Sequence, residues 1–319
     1  MYLANITLDN IRLFLKGHRK TAVFALSPEC NCRCTMCGMW RKPVERISFQ
    51  DAKKVIEFLV KNRFIMVYFT GGEPTLYPQL PELVKYAHDL GLITILTTNG
   101  TAKEGLLEKL KRSGLQSISI SLDHYRPEVC EAIRGVKGIW EEQLKSIRYA
   151  KGLGLKPYAL AYLNRELLRN SLIDFIRFVN GVLGVPWGFC FPTKASNSYN
   201  LRYEYQTEQE LKRAVKSILY LKLYRRASIA NTITYLYDAL RFLDGVDTKY
   251  KCRGGTDVVY IDWRADVYPC FLKAKLFNCL TDRPRYESKE CDECLTNCFR
   301  EPSYIAHMSL PIAMAEFTH

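Results

Sequence analysis

Six short apolar runs alternating with helical periodicity predict an α/β protein: a partial (β/α)6 barrel on a parallel sheet, with a small cysteine-rich extension after it. Three observations lead there. Strand-like runs recur at about residues 21–27, 65–69, 92–97, 116–122, 156–162 and 186–191, most of them bounded by Gly, Pro, Asn or Ser. Between and after them, apolar residues return every three or four positions over residues 49–62, 79–90, 102–113, 141–152, 167–182 and 208–224. From Cys252 onward the chain becomes dense in cysteine. Strands joined by right-handed helical crossovers are parallel, and six such units close only part of a barrel.

In order, residues 1–20 read as a basic amphipathic helix, with apolar positions over 6–16 followed by His18, Arg19 and Lys20. It would cover the open edge of the barrel or rest on a membrane surface. Residues 21–225 form the barrel, and 226–319 form the extension, with a hairpin expected in 258–270. In such folds the site lies at the C-terminal ends of the strands. Attention therefore falls on residues 28–37, 70–74 and 98–100, on Asp123 and Asn164, and on 192–194. No internal repeat beyond the strand–helix unit is visible.

The composition, 48% hydrophobic and 25% charged over 319 residues, is that of a folding globular chain. Lys and Arg number 46 against 33 Asp and Glu, a formal charge of +13 that favours an anionic partner without choosing one. No apolar run approaches the ~20 residues needed to cross a bilayer, and the N-terminus lacks the order of a secretory signal. A cytoplasmic protein is expected, and there twelve cysteines point to metal rather than to disulfides.

Four of these cysteines, Cys30, Cys32, Cys34 and Cys37, occupy eight residues directly after the first strand run. Zinc would be expected to use separated pairs, whereas an iron–sulfur cluster needs thiolates around a larger inorganic core. The spacing of Cys30, Cys34 and Cys37, C-x3-C-x2-C, resembles the signature of the radical S-adenosylmethionine (SAM) superfamily. The resemblance implies a TIM-like partial barrel and a [4Fe–4S] cluster held by three thiolates. Its open fourth iron would chelate S-adenosylmethionine and give a 5′-deoxyadenosyl radical that abstracts hydrogen. Cys32 falls outside the trio and reads as a small residue filling the loop, with a spare thiol or a resting-state ligand as alternatives. Met36 stands where the family often has an aromatic residue.

Gly71, Gly72, Glu73 and Pro74 follow the second strand run and resemble the family's second motif. The resemblance implies that their backbone and the Glu side receive the amino group of S-adenosylmethionine. Asn99, in Thr97-Thr-Asn-Gly100, and Ser119 and Ser121, in Ser119-Ile-Ser-Leu-Asp123, resemble its third and fourth strand ends, placed to hydrogen-bond ribose or an amino-acid group. Asp123 shares that role or caps the next helix. Arg134, in Ala132-Ile-Arg-Gly135, resembles an arginine near the cofactor carboxylate, or else is a helix-terminal cation.

The extension resembles the family's SPASM and Twitch domains, closer to the shorter Twitch type, which implies one auxiliary [4Fe–4S] cluster on Cys252, Cys270, Cys291 and Cys294. Cys298 competes with Cys294 for the last place, and Cys279 either coordinates or is an inert thiol. Structural zinc would also suit two thiolate pairs. Ala265 occupies a position that the full SPASM pattern gives to glycine.

The implied reaction is hydrogen abstraction from a small-molecule or lipid substrate of anionic character, with net oxidation through the auxiliary cluster and electrons from a flavodoxin or ferredoxin. Cys190, Lys194, Ser196 and Tyr199 at the sixth strand end are the candidates to donate to or quench a radical, though packing and solvation explain each singly. A peptide or RNA modifier and a non-catalytic metal-stabilised binding protein are the alternatives. Only about twenty residues precede the first strand, too few for a leader-gripping domain, and residues 221–226 interleave cations and aromatics only weakly.

Overall fold

The computed structural model describes residues 17–18, 20–192, 207–286 and 290–307. The N-terminal helix expected before residue 17, and Lys194, Ser196 and Tyr199, lie outside the described residues.

Six parallel strands lie side by side in chain order: β1 (Lys20–Ala25), β2 (Phe64–Thr70), β3 (Ile93–Thr98), β4 (Ser117–Ser121), β5 (Lys156–Tyr162) and β6 (Trp187–Cys190). The crossover helices are α1 (Phe49–Lys61), α2 (Leu80–Asp89), α3 (Glu104–Arg112), α4 (Pro127–Arg134), α5 (Ile139–Gly152) and α6 (Leu172–Arg177). This is the partial barrel that the alternating runs predict. Phe24, Phe69, Leu96, Ile118, Ala159 and Phe189 share the sheet face that packs against the helices in the main core. The opposite face, inside the barrel, carries the polar row Thr97, Ser119, Tyr158, Tyr162 and Cys190. Helix starts follow local chemistry: the Ser48 hydroxyl accepts the Asp51 N–H at the head of α1, and Thr207 with Glu210 forms a reciprocal cap on α7 (Glu208–Tyr224).

Two features differ from the periodicity. The stretch expected as one helix over 167–182 is helical throughout, but wider π-type turns at Leu167–Ser171 and Phe178–Leu183 flank the short α6. Asn170, Ser171, Asn180 and Gly181, weak helix formers, sit in those turns. The extension does not merely follow the barrel: its first strand, β7 (Val258–Ile261), pairs in parallel with β1. β8 (Asp266–Tyr268) and β9 (Phe277–Asn278) add antiparallel, so the expected hairpin is present at the end of one continuous sheet. Two helices, α8 (Ile233–Leu243) and α9 (Asn297–His307), complete the extension. Among the described residues no helix is long and apolar enough to cross a membrane.

Candidate active site

The loop after β1 brings Cys30, Cys32, Cys34 and Cys37 to the C-terminal end of the sheet, where they pack with Met36, Ile133, Ile139 and Tyr162. What shapes this loop is the close approach of two other chain segments. From one side, the Gly72 N–H donates to the Ser27 carbonyl (2.8 Å) and the Glu73 N–H to that of Glu29 (2.7 Å). Gly71 has φ +138°, and a Cβ at Gly72 would overlap the carbonyl oxygens of Pro28 and Glu29. These glycines are required because another backbone passes there. From the other side, the Arg33 and Thr35 N–H groups donate to the carbonyls of Arg134 (3.1 Å) and Ile133 (2.9 Å), satisfying the end of α4. Gly135, left-handed at φ +67°, lets that helix end lie against Arg33.

Arg134 is therefore a helix-terminal residue, but its side chain turns inward and is only 8% exposed. Its Nε pairs with Asp123 Oδ2 at 2.6 Å and its Nη1 donates to Cys34 Sγ at 3.7 Å. Asp123 is fully buried, and its Oδ1 accepts the Tyr162 N–H at 2.9 Å. Asp123 does not cap α4, which begins four residues later without a side-chain cap; its carboxylate serves Arg134 and β5.

The thiols titrate unequally. A hydrogen bond from Cys32 holds Cys30 below its ordinary value. The same thiol, helped by the Arg134 charge against the opposition of burial, holds Cys34 down to about 6. Burial pushes Cys37 up to about 12. Hydrogen bonding to both neighbours drives Cys32 far up, so it is the proton-keeping member of the four. Asn99 Nδ2 donates to Cys32 Sγ (3.2 Å) and to Asn31 Oδ1 (2.7 Å), so Cys32 fills and anchors the loop.

Two residues expected at the cofactor also have partners within the protein. Glu73 is 2% exposed, and its carboxylate accepts from Thr75 N–H and hydroxyl, the Thr98 hydroxyl and the Asn99 N–H. It ties the end of β2 to the end of β3. Ser119 is fully buried, its hydroxyl donating to Thr97 Oγ1 at 2.9 Å. Ser121, one pleat nearer the strand end, is half-buried.

In the extension, Cys252 and Cys291 face each other across an antiparallel bridge with N–O distances of 2.9 and 2.8 Å. Burial pushes Cys252 up to about 12 and Cys270 up to about 11, and the neighbouring Cys294 acts on both in the same direction. Cys298, driven up by burial, has Cys190, Cys270 and Cys294 as its charge neighbours. Cys279 has Asp266 and Asp262 as its charge neighbours, and burial pushes it up to about 12. Arg300, absent from the sequence reading, braces the group. Fully buried, it donates to the Cys294 carbonyl (2.6 Å), the Thr248 hydroxyl (2.8 Å) and the Tyr304 hydroxyl (2.7 Å), and it pairs with Asp292.

Cys190 ends β6 beside Tyr162, which packs on the first cysteine group, and it neighbours Cys298 of the second. Among the described residues no three His, Cys, Asp or Glu side chains converge to hold a single metal ion. An all-thiol donor set of this kind suits an iron–sulfur core, which is held by thiolates.

Residues 24–178 match the model of the Radical SAM superfamily, so this part of the chain is a radical SAM domain. An Fe-coproporphyrin III synthase of Methanosarcina barkeri is 30% identical over 161 residues, 49% of this chain and 40% of that protein. The chain thus spans less than half the length of that relative. A probable GTP 3′,8-cyclase of Methanococcus maripaludis is 26% identical, covering 78% of this chain and 84% of its own. In fold, the chain resembles Streptococcus suis SuiB bound to S-adenosylmethionine, with a TM-score of 0.67 at 18% identity over 91% of this chain and 69% of that one.

Proposed function

We propose that this chain is a radical SAM enzyme that abstracts hydrogen from a small anionic molecule or a lipid. The observation that carries the reading is the seat of Cys30, Cys34 and Cys37 at the strand ends of a radical SAM domain, with Arg134 set against Cys34. A [4Fe–4S] cluster held by these three thiols, with S-adenosylmethionine at its open iron, would supply reductive cleavage of the cofactor to a 5′-deoxyadenosyl radical.

The chain's own residues then have distinct tasks. Gly71, Gly72 and Glu73 press the cysteine loop onto the sheet, and Asn99 anchors it through Cys32. Ser121 and the backbone beside Gly72 and Pro74 offer polar groups at the mouth. Cys190, within the barrel between the two cysteine groups, is the side chain we assign as hydrogen donor to a substrate radical. Cys252, Cys270, Cys291 and Cys294, with Cys298 as the alternative last ligand, would hold an auxiliary [4Fe–4S] cluster; a substrate radical that passes its electron to that cluster leaves oxidised, and in such a turnover Cys190 donates no hydrogen. Small-molecule chemistry is supported by the relative named for GTP, itself an anion, and by the basic balance of the chain. The electron donor would be a flavodoxin or ferredoxin, and the setting cytoplasmic.

The test is iron and sulfide content after anaerobic reconstitution, together with 5′-deoxyadenosine formation from S-adenosylmethionine and dithionite, in wild type and Cys34→Ala. Roughly eight irons and nucleoside formation lost in the variant are expected; roughly four would remove the auxiliary cluster. Zinc without iron, and no nucleoside, would overturn the reading.

A further inference from the structure

Helix α7 turns one stripe outward: Gln209, Arg213, Lys216, Tyr220, Leu223 and Tyr224. A solvated stripe stays polar along its length. This one does not, for in its last turns Tyr220, Leu223 and Tyr224 are 48%, 38% and 72% exposed. Beside them a groove of about 980 Å³ runs between α7 and the segment around α6. Arg177, Lys216, Arg225 and Arg226 line it, and no described lining residue is acidic; Asp174 lies 3.4 Å from Arg177. Arg225 lies over the Tyr220 ring at 5.9 Å, and the Tyr220 and Tyr224 rings are 5.4 Å apart, so cations and aromatics form one patch.

The patch has a defined place. The loop after it is tied to the start of β6 by Trp187 N–H to Ser228 carbonyl (2.9 Å) and Ala230 N–H to Trp187 carbonyl (2.7 Å). It therefore lies at the N-terminal side of the sheet, a strand length of about 20 Å from the side that carries Cys30, Cys34 and Cys37. A protein electron donor docked here would be remote from those thiols. A planar anionic surface is not so constrained. Tyr and Leu side chains enter the boundary between headgroup and acyl chain, while Lys and Arg snorkel to the phosphates.

We infer that the C-terminal turns of α7 and residues 225–226 dock this protein on an anionic phospholipid surface, leaving the cysteine face turned away from it. The inference stands independently of the radical reaction.

The experiment is co-flotation of the anaerobically reconstituted full chain with phosphatidylglycerol-rich vesicles or with pure phosphatidylcholine vesicles, at low and high salt. Arg225→Gln combined with Arg226→Asn is the first variant; Asn is chosen because Arg226 has φ +51°. Tyr220→Ser with Tyr224→Ser is the second. Wild type should float with the anionic vesicles, less so at high salt, and barely with the neutral ones. The arginine pair should weaken partition roughly 30-fold, and the tyrosine pair should weaken it at both salts, with iron content unchanged in each. Equal binding to both lipids, no binding, or wild-type binding by both variants would overturn the proposal. So would retention of a single-stranded RNA oligonucleotide by a protein that ignores the vesicles.

Discussion

Replacing Arg134 by methionine strands the Asp123 carboxylate, fully buried, with its partner gone. Unit charges 2.6 Å apart attract by about 6 kcal/mol at an effective dielectric constant of about 20. Desolvating the two ions consumes most of that, so the pair as a whole adds little, but a lone charge left behind costs about 3–5 kcal/mol. The expected loss for Arg134→Met is of that size, a fall in melting temperature of roughly 6–20 °C. Asp123→Asn should cost nearly as much, because it leaves the guanidinium unpaired against Cys34. The double variant should lose far less than the sum of the two single losses, because removing both charges leaves neither stranded. Anaerobic thermal melts of metal-free protein give all three values, and iron retention after reconstitution reports on the loop separately. Single-variant losses below about 1 kcal/mol, the range of exposed pairs, would refute the argument that this pair is sealed from water.

Gly72→Ala places a methyl group against two carbonyl oxygens of the cysteine loop, and is expected to lower iron bound by the N-terminal site while leaving the far-ultraviolet circular dichroism spectrum intact. Among the C-terminal thiols, Cys279→Ser should leave iron content at the wild-type level, whereas Cys252→Ala, Cys270→Ala and Cys291→Ala should each remove roughly half of it; an equal loss in Cys279→Ser would show that this thiol, beside Asp262 and Asp266, is a ligand as well. Arg300→Lys keeps the charge but not the fork that reaches Cys294, Thr248 and Tyr304, and should lower the melting temperature by several degrees. A chain ending at residue 225 should be insoluble, scored by the soluble fraction on expression.

The sheet was legible because its strands bury one face on helices and are stopped by turn residues, giving a run and a boundary that sequence shows directly. The cysteine loop was legible through spacing. What spacing could not show is which groups hold the loop in place. The packing partner is α4, a two-turn helix too short for its periodicity to stand out, begun by Pro127 and closed by Gly135. Glu73 illustrates the same limit: its neighbours Thr98 and Asn99 lie at the end of another strand, so sequence could not show that its carboxylate ties β2 to β3. Arg300 gave no signal at all, since a lone arginine in a helix usually faces water. Ala265 gave one that is now intelligible: it takes φ +62° in the β7–β8 turn, the conformation for which glycine is the usual residue, at a cost of about 1–2 kcal/mol.

The expected failure of the shortened chain follows from where β1 sits. This strand delivers the cysteine loop, and it is hydrogen-bonded to β2 on one side and to β7 on the other. Cut at residue 225, β1 becomes an edge: the backbone groups of Thr21 to Phe24 lose the ladder to Val258–Ile261, and a short hydrophobic strand is left open to pairing with other chains. The loss reaches the site, because the Gly72 and Glu73 contacts fix only the far side of the loop, while the position of its root at Ala25 depends on β1 being held from both edges. The extension thus supports the first cysteine group as well as carrying the second. A soluble fragment of residues 1–225 that melts cooperatively and still binds iron would show instead that β2 alone is enough to hold the strand.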